Sequence, residues 1–169
     1  MSEAPPPPRR RRLRRLALEL AVVVALVAAI GFWRGRGHPR GEVPELTLRS
    51  VAGMDVALRE LRGEPTLIAF FAPWCGVCKV TAQNVRWVHG AGRRVVSIGS
   101  AYGDDAASVA AYARDHELPS PVLLDDQGAA ERFGVTAYPT FFFVDARGRI
   151  TGSTVGYTTT LGLLARLWL

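Results

Sequence analysis

Apolar and polar positions along the chain fall into three regimes. In the first, Leu16 to Trp33 is an apolar run broken only by Glu19 and preceded by Arg9, Arg10, Arg11, Arg12, Arg14 and Arg15. As a helix, these residues reach about 27 Å, close to the roughly 30 Å of a bilayer's hydrocarbon core. Glu19 falls at the basic end within reach of headgroups, and Phe32 and Trp33 fall at the opposite boundary, where interfacial aromatics collect. The arginine excess predicts a cytoplasmic N-terminus and export of everything after Trp33. A cleaved signal segment competes with the anchor, since Ala29 and Gly31 are small, but Arg34 and Arg36 follow closely and the run is long for a signal. Residues 1–15 read as a disordered Pro/Arg-rich tail, 16–33 as a transmembrane anchor or signal segment, and 34–44, with Gly35, Gly37, Gly41, Pro39 and Pro44, as a linker.

From residue 45 to 169 the pattern alternates between strand and helix periods. Glu45 to Leu58 predicts a hairpin turning at Gly53, and Thr66 to Ala72 is a continuous apolar run of strand length. A helix follows from Cys75 to about His89, with Cys78, Ala82, Val85 and His89 on its inward stripe. Val95 to Ser100 predicts a strand, Asp104 to Asp115 a helix capped by Asp104, Val122 to Leu124 a strand, and Gln127 to Phe133 a short helix. Thr140 to Asp145 and Ile150 to Gly156 form a hairpin through Arg147-Gly148, and Thr158 to Leu169 closes with a helix. This order predicts an α/β domain with one central mixed β-sheet covered on both faces.

Charge changes the picture only after division by region. Residues 1–40 carry nine arginines against Glu3 and Glu19, a balance of +7, and residues 41–169 carry twelve basic against thirteen acidic residues, a balance of −1. The basic character belongs to the tail, so the folded part lacks a nucleic-acid footprint. Two cysteines, Cys75 and Cys78, exclude a disulfide framework and a four-cysteine metal site.

The strand-turn-helix context gives the Cys75-Gly76-Val77-Cys78 spacing chemical meaning. Cys75 would open a helix, where free N–H groups and the helix dipole stabilise a thiolate, the nucleophilic form of the side chain. Cys78 lies one turn further on the same face, within disulfide reach. The first cysteine would attack and the second would resolve the mixed disulfide. Four other uses of the pair compete with this one. A structural disulfide closing four residues would contribute only roughly 2 kcal/mol. Zinc would need two ligands from His38, His89 and His116, none at ligand spacing, and covalent haem attachment would need histidine where Lys79 stands. Soft Cu(I) suits two thiolates, but no methionine or histidine adjoins the motif.

The run Phe70-Phe71-Ala72-Pro73-Trp74-Cys75-Gly76-Val77-Cys78-Lys79 resembles the first signature of the thioredoxin superfamily, and Gly134-Val135-Thr136-Ala137-Tyr138-Pro139-Thr140 resembles its second. Residues 45–169 are similar to the membrane-anchored TlpA-like branch. The ending, Gly156-Tyr157-Thr158-Thr159 through Leu163, Arg166, Leu167 and Trp168, resembles the ScsD-like subgroup, linked to copper tolerance in bacterial envelopes. The resemblance implies a thioredoxin-like fold behind an N-terminal transmembrane helix. It also implies Cys75 as nucleophile, Cys78 as resolving cysteine, and a substrate groove made by Trp74, Gly76, Val77, Tyr138, Pro139 and Thr140, with Pro139 in cis. No cofactor beyond the Cys75-Cys78 pair is implied. The expected partners are protein disulfides or dithiols and a membrane-embedded electron donor, in the periplasm of a single-pass inner-membrane protein, with cytochrome c maturation or copper defence as the setting. A disulfide-donating oxidase, a Cu(I)-trafficking protein and a non-catalytic adaptor stand as alternatives. Two departures from the family pattern matter. Ala69 and Thr81 stand where relatives carry acidic residues that help deprotonate the second cysteine, which leaves water, the leaving thiolate, Asp125 or Asp145 for that task.

Overall fold

The computed structural model describes residues 14–23, 25–26, 38–100 and 105–168. In chain order these form a helix α1 at residues 14–23 and 25–26, then β1 Gly41–Glu42, β2 Thr47–Arg49, β3 Asp55–Ala57 and a 3-10 turn at Leu58–Leu61. Next come β4 Thr66–Phe71, α2 Gly76–Gly90, β5 Arg94–Ser100, α3 Ala106–Asp115 and β6 Val122–Asp125. The chain ends with α4 Ala129–Arg132, β7 Thr140–Val144, β8 Arg149–Val155 and α5 Thr160–Leu167. Six strands make one mixed sheet in the order β1-β8-β7-β4-β5-β6, and β2 and β3 pair separately. β4 runs parallel to β5 and antiparallel to β7, so it lies inside the sheet.

Strand β4 is central because every residue from Thr66 to Phe71 is buried, the burial that a continuous apolar run demands. Its alternation assigns the two faces. Leu67, Ala69 and Phe71 point toward α2, α3 and α5, where Val85, Val88, Val109, Leu163 and Leu167 meet them. Ile68 and Phe70 point the other way, toward Leu48, Leu58 and Phe133. There the rings of Phe70, Phe133 and Phe142 meet at tilted or edge-on angles with centroids 5.0 to 5.7 Å apart, an arrangement that suits their quadrupoles. The result is the thioredoxin-like α/β architecture, with helices on both faces.

Three expectations need correction. The stripe of α2 buries Val88 rather than His89, because α5 packs along the side of the helix that carries Asn84 and Val88. Asn84 holds that contact, donating to the Thr158 carbonyl and accepting from the Thr160 hydroxyl. The cap of α3 is Asp105, whose carboxylate accepts from the Ser108 N–H, and Asp104 lies outside the described residues. The segment expected as linker reaches the sheet: Gly41–Glu42 pairs with β8, and buried His38 lies 2.8 Å from the Ser153 hydroxyl through Nδ1 and packs on Phe142. Its glycines and prolines gave no strand signal, and an edge strand of two residues needs none. Among the described residues no helix is long and apolar enough to cross a membrane, and residue 24 and residues 27–33 of the expected anchor lie outside them.

Two measurements follow. A Cβ on Gly99 would meet Val109 Cγ1 and lie 2.9 Å from Phe71 Cζ, so Gly99→Ala should cost about 1–3 kcal/mol, read as a lower urea midpoint. An unchanged midpoint would mean that α3 is free to shift. Burial holds the His38 imidazole below its ordinary 6.5, so the unfolded chain binds its proton first and stability falls as pH drops below that value. Thermal melts at about pH 7.5 and 5.5 should show a smaller pH-dependent loss for His38→Gln than for the native chain.

Candidate active site

Helix α2 starts where β4 ends. The chain leaves the sheet at buried Ala72, whose carbonyl accepts from the Cys75 N–H at 3.0 Å, a turn that aims residue 75 across the end of the strand. Cys75 is the N-cap of α2, in extended geometry with φ −77° and ψ 111°, and the Cys78 N–H donates to its Sγ at 3.1 Å. N-cap positions favour side chains that accept from the open N–H groups of the first turn. Here sulfur takes that place. Cys75 and Cys78 are joined as a disulfide with Cα atoms 5.2 Å apart, inside the window that such a bond requires. Cys75 keeps 7% of its surface exposed and Cys78 only 2%, so the first cysteine is the more accessible of the two.

The second half of the site comes from the loop before β7. The Tyr138–Pro139 bond is cis, and the Tyr138 carbonyl oxygen lies 3.5 Å from Cys75 Sγ. Pro139 is buried and lines a small, mostly apolar cavity together with Cys78. Trp74 is 65% exposed, and its ring meets that of Tyr138 edge-on at 6.1 Å, so two aromatic planes flank the sulfurs. Gly76 has open space around it and Val77 is exposed, so both lie at the surface between the cysteines. Thr140 is placed differently from the expected groove: it is fully buried, and its hydroxyl donates to the Ala137 carbonyl at 2.7 Å, fixing the loop from beneath.

Neither candidate carboxylate is free. Asp145 accepts from the N–H groups of Arg147 and Arg149 in the β7–β8 turn, beyond the end of β7 opposite Thr140. Asp125 accepts from the N–H groups of Ala129 and Ala130, and burial pushes its carboxyl up from the ordinary range against those two bonds. Burial also raises the Tyr138 hydroxyl, which hydrogen-bonds with Ser100 and faces the charge of Asp125. The three histidines are dispersed, with His38 against Ser153, His89 exposed on α2 and His116 against the Tyr112 ring at 4.3 Å. Sequence reasoning missed Ser97, Ser100 and Tyr112. The available signal was polar residues at inward positions of an apolar strand, Ser97 and Ser100 on β5.

Fold and cysteine pair define the class: a thioredoxin-like protein disulfide oxidoreductase, with a disulfide-bonded pair whose first cysteine caps a helix beside a cis-proline loop. The chain belongs to the AhpC/TSA family, whose profile matches residues 39–153. It is similar to a thioredoxin-like protein of Haemophilus influenzae, 29% identical over 155 residues and 90% of each chain. It is also similar to the thiol:disulfide interchange protein DsbE of Pseudomonas fluorescens biotype C, 26% identical over 156 residues, 85% of this chain and 86% of that one. Among solved structures, MTB dsbF in mixed oxidized and reduced forms superposes with a TM-score of 0.67 at 26% identity, covering 75% of this chain and 97% of that one.

The geometry makes the two thiols unequal. In the reduced protein, iodoacetamide at neutral pH should modify Cys75 at least tenfold faster than Cys78, because only Cys75 combines exposure with the open N–H groups of a helix start. Peptide mass mapping after short labelling checks this. Equal labelling would remove the basis for separate roles.

Proposed function

We propose that the protein is a membrane-anchored, extracytoplasmic thiol-disulfide oxidoreductase that reduces or isomerises disulfides in client proteins. The observation that carries the reading is the placement of Cys75 Sγ, at the cap of α2 and 3.5 Å from the Tyr138 carbonyl oxygen. A client's extended segment lying beside Tyr138 would pair with that backbone by strand addition, which brings its disulfide onto Cys75. Trp74 and Tyr138 form the walls, Gly76 and Val77 the floor, and Pro139, without an N–H, leaves the pairing to Tyr138.

The steps balance without a further cofactor. Cys75 thiolate attacks one client sulfur, the client S–S bond breaks, and the other client sulfur leaves and takes up a proton. Cys78, once deprotonated, attacks Cys75 Sγ, and the first client sulfur departs as thiolate. Two electrons have passed to the client, and the Cys75–Cys78 disulfide, the state seen here, remains. A membrane-embedded dithiol donor would return the pair to the reduced form by the same exchange in reverse. The ending through Leu163, Leu167 and Trp168 inclines the reading toward the ScsD-like subgroup and envelopes under copper stress.

The anchor rests on the first 40 residues. On α1, Leu16, Leu18, Leu20, Val22, Val23 and Leu26 are each at least half exposed, apolar surface that costs about 25 cal/mol per Å² in water and nothing in lipid. The arginines ahead of this run favour a cytoplasmic N-terminus.

Two outcomes test the proposal. The full chain should catalyse insulin reduction by dithiothreitol. Cys75→Ser should lower the rate at least a hundredfold, and Cys78→Ser should accumulate mixed disulfides seen on non-reducing gels. Full activity in Cys75→Ser would refute the role assignment. Cell fractionation should find the protein in membranes at its full intact mass, resistant to carbonate extraction. A soluble chain beginning near Phe32 would mean a cleaved signal.

A further inference from the structure

Resolution of a mixed disulfide needs Cys78 as thiolate, yet Cys78 is 2% exposed and lies among Phe71, Val109 and Tyr112. Apolar surroundings disfavour that charge. The carboxylates of Asp125 and Asp145 are engaged elsewhere, as described above. Thr81 adjoins Cys78, but its single hydroxyl proton is directed to the Val77 and Cys78 carbonyls. Its lone pairs stay available to accept.

Beneath Cys78 lies a cavity of about 10 Å³ lined by Cys78, Thr81, Ala69, Ser97, Tyr112 and Pro139. That is room for one water molecule. Ser97 sits beside Ala69 in the β4–β5 ladder and is 1% exposed. Its hydroxyl is buried without a hydrogen-bond partner among the described residues. Buried hydroxyls almost always find a partner, in protein or in ordered water, and a polar residue at this position of an otherwise apolar strand needs a reason.

We propose that Ser97 holds one buried water against Cys78 Sγ, and that this water takes the proton from Cys78 during resolution. The inference rests on the oxidoreductase reading. Ser97 Oγ donates to the water, and the water donates to Thr81 Oγ1 and to the cysteine sulfur as its thiolate forms. The Cys78 S–H bond breaks, its proton passes through the water to solvent on the open side of the cavity, and the Cys78–Cys75 S–S bond forms as the client thiolate leaves. Ser97 is a positioning residue, since it acts through the water. The other titratable group facing the cavity is Tyr112 on α3, whose hydroxyl burial pushes upward, so it stays neutral. Lys79 on α2 is exposed, and His116 packs on the Tyr112 ring without lining the cavity.

The test uses the full chain and separates the two steps. Removing the hydroxyl in Ser97→Ala should slow release of a preformed mixed disulfide between Cys75 and glutathione about tenfold at pH 7. It should also move the pH midpoint of that release up by about one unit. Attack by Cys75, followed in the Cys78→Ser background with and without Ser97→Ala, should change less than twofold. Equal release rates and midpoints in native and Ser97→Ala proteins would overturn the relay and leave the oxidoreductase reading intact. Absence of attack by Cys75 in the native chain would instead refute that reading. A second measurement needs no variant: a long-lived water should give a nuclear Overhauser contact to the Ala69 methyl group. A dry cavity by that measurement would also overturn the proposal.

Discussion

The hydrogen bond from the Cys78 N–H to Cys75 Sγ, at the head of α2, is the constraint that the rest of the site serves. It exists only if β4 stops at Phe71, the chain turns within Ala72 to Trp74, and α2 starts at Gly76. Each condition has its own cause. β4 is fixed by its position between β5 and β7, the turn by the Cys75 N–H bond to Ala72, and α2 by burial of Val85 and Val88 against α5 and the sheet. A shift of one residue in any of them would rotate the sulfur away from the open N–H groups. The core thus supplies alignment, and the helix start supplies the electrostatics that favour the thiolate.

Against this fixed half stands the loop before β7, which brings a backbone carbonyl and a proline ring to the sulfurs. Thr140 anchors it from inside the sheet, and Ser100 steadies the Tyr138 ring from β5. The exposed surface that remains beside the sulfurs comes from Trp74 and Val77, with the half-buried Tyr138 ring edge-on against Trp74.

Much of this was legible in the residues. The apolar run of β4, the alternation of strand and helix, and the two motifs are enough to put the cysteines at a helix start after a central strand and Pro139 just before another strand. What the chain did not disclose depends on tertiary partners. The buried arc of α2 turns toward α5, so Val88 replaces His89 in the core. The edge strand β1 has no periodic signal, because two residues held by β8 and a buried His38 are enough to attach it. Thr140 reads as a groove residue from its place after the proline, but it opens β7, an interior strand buried along its whole length. Ser97 is the instructive case: a polar residue between Val96 and Ile98 looks like tolerated noise until it is seen to line the cavity that Cys78 also lines, with its hydroxyl buried.

The central claim is that Cys75–Cys78 is a working redox couple and not a staple. Equilibration of the full chain in glutathione buffers of graded potential, with acid quenching and intact mass as readout, tests it directly. The account predicts one two-electron transition, a mass change of about 2 Da, with a midpoint between about −270 and −120 mV. A pair that stays oxidised below about −300 mV, as structural disulfides of secreted proteins do, would contradict it.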